Sequence, residues 1–339
     1  MIVYFFLFVK ISMVLLFFFS MPALFDQSIF KYNDLSYYTS GDLGIGPNIG
    51  YRWLIWILGI NTIDEIIPIL LALIINLLID VAWIYLLSKY INLRSLLIFA
   101  IMLGLQPYSA IYTIKFSTII FAKIGVFLFC KELFEGGFNT IKNKTLSMFD
   151  LASWTVLTML RNSNLFIAAP YIFLKLINRP IFAVLVTFIF VGVFYILSIG
   201  YLEPLMASDR PWTLNYVKEF FGVKNNFFAL PLLFVARVLL LFGSREKVYG
   251  EGLEPFIIWG MPGIELCIYI LLAFVQLFGF LIAIRYLLKK YGTTSLILLI
   301  PLILAIFTVT HQRYLIPFIP LCLFGLSIIF EKFLRNLDK

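Results

Sequence analysis

Long apolar runs with few interruptions dominate the pattern along this chain. About 20 apolar residues carry a helix across the ~30 Å hydrocarbon core of a bilayer. Runs at 2–24, 66–87, 96–114, 116–130, 181–201, 264–284, 295–309 and 314–330 are of that order. Two shorter runs, 151–160 and 165–174, flank Arg161. They read as half-length helices whose connection dips into the membrane, an arrangement tolerated only beside a protein-lined or wet cavity. The run 51–60 is too short to span, and its Trp53 and Trp56 suit a helix lying in the interface. The first run is broken only by Lys10 and lacks the basic n-region and small-x-small site of a signal peptide, so it is expected to remain as the first span. No run alternates as a lipid-facing β-barrel requires. The expectation is an all-α membrane protein forming a single polytopic domain over 1–339, with loops 25–65 and 202–262 covering its site.

Composition narrows the class. Apolar residues make up 62% and charged residues 13%, against about 45–50% and about 25% in soluble domains. So few charges cannot cover a soluble surface without very large exposed apolar patches, which excludes a soluble enzyme. The net charge of +8 would suggest nucleic acid in a soluble protein. Without an arginine-rich run it reads instead as the cytoplasmic Lys and Arg excess of a membrane protein in contact with anionic lipids, with no nucleic-acid partner. Cys130, Cys267 and Cys322 sit in or beside apolar runs, far apart, as small packing residues. The single histidine, His311, leaves no His-rich metal site. No cofactor is expected, although a divalent metal stays open.

The segment 226–243 decides the topology, being apolar but carrying Arg237 in its middle. Counted as a span it gives eleven crossings. Counted as re-entrant or interfacial it gives ten, with Lys89/Arg94, Lys142/Lys144, Lys175/Arg179, Lys289-Lys290 and Lys332/Arg335/Lys339 all on one side. The positive-inside rule favours ten, with both termini cytoplasmic. Asp26, Asp34, Asp42, Lys115, Arg161, the 202–262 segment and His311-Gln312-Arg313 then gather at the outer face. Ionisable groups at a membrane rim are costly, so such a cluster marks a site. Asp80 and Lys123, both inside spans, are expected to pair with each other structurally.

The first outer loop holds Asp34, then Tyr37-Tyr38 and Asp42, then Gly46-Pro47, before the short helix and the second span. Met159-Leu160-Arg161-Asn162 lies in the middle region, and His311-Gln312-Arg313-Tyr314 with Pro317 and Pro320 opens the last span. In this order the chain resembles the polytopic glycosyltransferases of the C superfamily that use polyprenyl-phosphate sugars, of the protein mannosyltransferase and aminoarabinose transferase types. The likeness covers most of the chain as architecture, through short motifs. One departure is plain: many members carry a second acidic residue in the outer loop between the third and fourth spans, where this chain has Lys115.

The resemblance implies transfer of a sugar from a polyprenyl-phosphate donor to a glycan, lipid or protein acceptor. Asp34 would take the proton of the acceptor hydroxyl. Arg313 and Arg161 would present planar, permanently charged forks to the leaving phosphate. His311 and Lys115 would be further donors, and Tyr37, Tyr38 and Asp42 would complete the substrate site. The compact size suits a bacterial inner membrane, with the site facing the exterior. Two other classes stay open: a surface-polysaccharide polymerase or ligase built around 202–262, and a lipid-linked glycan flippase or transporter. The last would need polar groups at the membrane midplane.

Overall fold

The computed structural model describes residues 1–20, 48–59, 66–113, 117–143, 145–206, 218, 222, 225–243, 262–307 and 314–337. Every regular element among them is helical. In chain order these are α1 (Ile2–Ser20), α2 (Ile49–Ile57), α3 (Ile66–Ser88), α4 (Leu93–Leu105), α5 (Pro107–Thr113), α6 (Ile119–Asn143), α7 (Met148–Leu160), α8 (Leu165–Leu176) and α9 (Pro180–Met206). There follow α10 (Asn226–Gly243), α11 (Pro262–Tyr291), a 3-10 segment (Gly292–Leu299), α12 (Ile300–Phe307), a 3-10 turn (Ile316–Phe318) and α13 (Ile319–Leu337). Three stretches among the described residues are long and apolar enough to cross a membrane: Pro68–Ser88, Leu271–Ile306 and Ile316–Asn336. Helix α9 turns Ile181, Leu185, Phe188 and Ile196 outward, exposed. Such an apolar face suits lipid rather than water.

Local chemistry divides two of the apolar runs and extends a third. The run 96–114 breaks at Gln106, because a residue before proline is driven out of the helical region. Gln106 is extended (ψ 113°), and its Oε1 accepts from the Ser109 amide at 2.7 Å, capping α5. The run 295–309 is half 3-10 and half α-helix, divided at Ile300-Pro301. The run 116–130 continues to Asn143, with a non-helical kink at Gly137 (φ 59°). A Cβ at Gly137 would press on the Tyr291 ring at 3.2 Å, so both backbone sign and space call for glycine.

One end of the bundle collects the basic clusters. Lys290 lies over the Tyr90 ring at 5.2 Å. Phe134 joins Tyr90, Tyr291 and Phe324, with ring centroids 5.1, 5.6 and 5.7 Å away. Glu331 accepts from Asn92 and Ser95 and pairs with Arg335. Lys175 meets Glu132 and Asp150, each at 3.9 Å. The ends of α3, α8 and α11, the starts of α4 and α7, and the C-terminal parts of α6 and α13 therefore share one face.

The closest helix pair is α11 with α13. A Cβ on Gly325 would fall on the Gly279 carbonyl, and one on Gly279 would fall on the Cys322 carbonyl. Small residues that let backbones touch are how helices associate where no hydrophobic gain separates protein from lipid. Cys322 and Cys130 are buried free thiols, as packing residues should be.

Candidate functional site

The break between α7 and α8 forms the site. Arg161 leaves the helix in an extended conformation (φ −150°, ψ 108°), and Asn162–Asn164 make one 3-10 turn before α8 begins. The two helices fold back on each other. Trp154 meets Tyr171 with centroids 5.4 Å apart, and Asp150 faces Lys175 at the far end. This is a helical hairpin with Arg161 at its apex, matching the half-length pair expected from sequence. Eleven residues of helix put that apex about 17 Å from the Asp150–Lys175 level.

Side-chain amides hold the apex open. Asn164 Nδ2 donates to the carbonyls of Leu157 (2.9 Å) and Phe121 (3.1 Å). It fits only because position 125 is glycine: a Cβ there would sit 2.5 Å from Asn164 Oδ1. Asn48 and Asn162 exchange bonds, each amide N–H donating to the other's side-chain oxygen at 3.2 and 2.8 Å. Asn48 takes the left-handed region (φ 53°, ψ 42°), which asparagine tolerates better than most residues, and opens α2. Gly50, with no side chain, lets α2 lie on Met159.

Arg161 is only 7% exposed. Its Nη1 donates to the Thr118 hydroxyl at 2.5 Å and its Nε to Ser163 Oγ at 3.2 Å. The guanidinium carbon lies 5.4 Å from the centroid of the Tyr314 ring. Among the described residues no carboxylate pairs with it. A nearly buried cation held by a hydroxyl pair and a ring is oriented but not neutralised by any described residue, the electrostatic condition for receiving an anion.

Of the residues predicted from sequence, Arg161 alone is described. Asp34, Tyr37, Tyr38, Asp42, Lys115, His311 and Arg313 lie outside the described residues. The described residues that follow them in the chain do converge. Asn48 is bound to Asn162, Thr118 accepts from Arg161, and Tyr314 lies against it. Three chain passes that carry predicted residues thus adjoin the same apex.

Two features were not legible beforehand, or only in part. Gln276 of α11 is 1% exposed, and neither end of its amide has a partner among the described residues. It lies one turn before Phe280, whose ring meets Phe318 at 6.2 Å. Tyr314, which lies against Arg161, precedes Phe318 by four residues. Its signal in sequence was being the lone polar residue between Glu265 and Arg285 apart from Tyr269. The Ser117 hydroxyl, next to Thr118, is also buried without a partner among the described residues.

The second feature is an ionic cluster deeper in the bundle. Asp80 pairs with Lys123 at 3.1 Å, as expected, and also faces Lys10 at 3.6 Å. Lys10 donates to Ser109 Oγ at 2.6 Å and to the Leu103 carbonyl at 3.2 Å. Lys123 donates to Asn76 Oδ1 at 2.9 Å, and Asn76 Nδ2 reaches the Thr113 carbonyl at 3.2 Å. The cluster thereby ties α1, α3, α5 and α6 together beneath Thr118. No group of three or more His, Cys, Asp or Glu side chains that could hold a metal forms among the described residues.

Fold and site define a polytopic helical protein with helices able to cross a membrane and a cationic apex recessed among them. No protein-family model, curated protein or solved structure matches the chain.

Proposed function

We propose that this protein is a membrane glycosyltransferase that moves a sugar from a polyprenyl-phosphate donor to a glycan, lipid or protein acceptor at the outer face. The observation that carries the reading is Arg161: a recessed guanidinium, oriented by Thr118, Ser163 and Tyr314, with no carboxylate partner among the described residues. Such a fork suits a phosphate at the head of a lipid. In the reaction the acceptor oxygen bonds to the sugar's anomeric carbon as the carbon–oxygen bond to phosphate breaks. The polyprenyl phosphate leaves with the bonding electrons, and Asp34 takes the acceptor proton. Arg161 and Arg313, with His311 and Lys115, offset the charge gathering on the leaving phosphate. Tyr37, Tyr38 and Asp42 line the sugar and acceptor. No step requires a metal.

The one-sided basic clusters support the topology in which α10 is re-entrant, with the site facing the exterior of a bacterial inner membrane. The test is transfer of radiolabelled sugar from polyprenyl-phosphate donors in membranes, comparing the unaltered chain with Asp34→Asn and Arg161→Gln. Loss of transfer in both, with donor binding weakened only by Arg161→Gln, supports the reading. No transfer by the unaltered chain rejects it.

The buried Lys10–Asp80–Lys123 cluster favours a second reading, a lipid-linked glycan flippase or transporter. Ionisable groups buried among membrane helices are a usual mark of ion or proton pathways. Proton-dependent lipid-glycan translocation in vesicles, abolished by Asp80→Asn and indifferent to Asp34→Asn, would select it.

A further inference from the structure

Helix α2 opens on a side chain that serves another part of the chain. Asparagine is favoured at a helix start because its side chain can accept from an amide of its own first turn. Asn48 precedes α2 but makes no such bond; its Oδ1 accepts from the Asn162 amide at 2.8 Å, 114 residues away. Its own amide donates to Asn162 Oδ1 at 3.2 Å, closing a ring of two bonds. Asn48 does this from the left-handed region (φ 53°), where glycine fits freely but carries no acceptor. Asparagine supplies both the backbone conformation and the oxygen.

The turn held this way is the one that directs Arg161. Asn162 begins the 3-10 turn, Ser163 within it accepts from Arg161 Nε at 3.2 Å, and the Asn164 amide donates to the Arg161 carbonyl at 2.9 Å. Helix α2 also touches the two segments that share the Arg161–Thr118 bond. A Cβ on Gly50 would lie 2.8 Å from Met159 Cβ, in the last turn of α7. The fully buried Tyr51 ring meets Phe121 edge-on at 6.0 Å, in the first turn of α6 just after Thr118. A side chain keeps a productive direction only when the contacts that support it are themselves fixed.

We propose that Asn48 is a positioning residue for Arg161. Through its exchange with Asn162, α2 braces the turn and sets the direction in which the guanidinium meets the lipid phosphate. Asn48 acts through Arg161 and touches no substrate itself. The inference rests on the reading of Arg161 as the phosphate fork, and adds that α2 controls how that fork is aimed.

The test uses the full chain in detergent, labelled with nitrogen-15 arginine. The Arg161 Nε–H signal is assigned by its absence in Arg161→Gln, and its exchange with water is timed. Asn48→Gly keeps the left-handed backbone and removes the acceptor. It should speed the Arg161 exchange about threefold to tenfold, the equivalent of one hydrogen bond, and leave the Arg237 signal, from α10, unchanged. Binding of decaprenyl phosphate should weaken by a similar factor, and should not weaken further when Asn48→Gly is added to Arg161→Gln. Asn162→Ala, which removes the other side-chain acceptor, decides the matter if Asn48→Gly fails to fold. Unchanged Arg161 exchange overturns the proposal, as does equal acceleration at Arg161 and Arg237 or a further loss of binding in the Arg161→Gln background. If the unaltered chain and Arg161→Gln bind decaprenyl phosphate equally, the phosphate reading of Arg161 falls, while the exchange measurement still decides whether Asn48 positions it.

Discussion

Arg161 and Thr118 meet across 43 residues of sequence, the guanidinium donating to the hydroxyl at 2.5 Å. The bond joins the apex of the α7–α8 hairpin to the residue just before α6. It sets the direction of a fork whose Nη2 makes no hydrogen bond among the described residues. In the proposed reaction that free edge meets the donor phosphate.

Thr118→Val keeps the shape and removes the acceptor. Hydrogen bonds to charged groups are worth about 1.5–3 kcal/mol. The expected outcome is a rise of about tenfold or more in the Kd for polyprenyl phosphate, with the fold retained. Arg161→Lys should weaken binding further, because an ammonium cannot present the planar fork. Binding of labelled lipid to purified protein measures both. Unchanged affinity in the two variants would remove Arg161 from the phosphate site.

The Asp80 carboxylate serves two ammonium groups, so loss of each of the three members should differ in cost. Asp80→Asn leaves Lys10 and Lys123 buried together without an anion, and losing one partner of a buried pair costs about 3–5 kcal/mol. Lys10→Met leaves a balanced Asp80–Lys123 pair and should cost least. Lys123→Met should fall between them, since it also strips the Asn76 oxygen of its donor. Thermal unfolding in one detergent gives the order. Equal losses for Lys10→Met and Asp80→Asn would mean that the cluster does not act through charge balance.

Gly279 and Gly325 make a sharper test of packing. An added Cβ at either would fall on a backbone carbonyl of the partner helix, which cannot rotate away. Gly325→Ala and Gly279→Ala should each destabilise by about 2 kcal/mol or more, as overpacking does. Gly192→Ala is the control, because its added Cβ meets nothing within 4 Å. That change should be neutral or stabilise by up to about 1 kcal/mol through helix propensity. Thermal unfolding of the three variants separates steric contact from a general dislike of larger residues.

Much of the helical frame was legible because apolar runs and proline are local signals. The hairpin about Arg161 followed from two runs too short to span, and the Asp80–Lys123 pair from two charges within apolar runs. The helix break at Gln106 was written in Pro107 but masked by the apolar residues on either side. Lys10 was seen only as an interruption, since nothing in a one-dimensional pattern tells that one carboxylate will serve two lysines from different helices. The glycine crossing of α11 and α13 was equally hidden, because a glycine in an apolar run has no periodic partner. At the site, Arg161 stood out by charge, whereas Thr118 and Asn164 are ordinary residues given meaning by the helix break they support. Asp34 and the other residues named through the family resemblance lie outside the described residues, so for them the sequence reading stands alone.

Gln276 separates a structural from a functional reading of the same residue. A buried amide with both ends unpaired costs about 1–3 kcal/mol for each unsatisfied group. Replacing it with leucine, close in size and apolar, should therefore raise the thermal midpoint if nothing else changes. If the amide faces the sugar of the donor, Gln276→Leu should also lower transfer about tenfold or more. Affinity for polyprenyl phosphate lacking the sugar should stay the same. A stabilised variant with full activity would make Gln276 a tolerated defect of packing. A stabilised variant with weakened sugar transfer and intact phosphate binding would place it at the sugar.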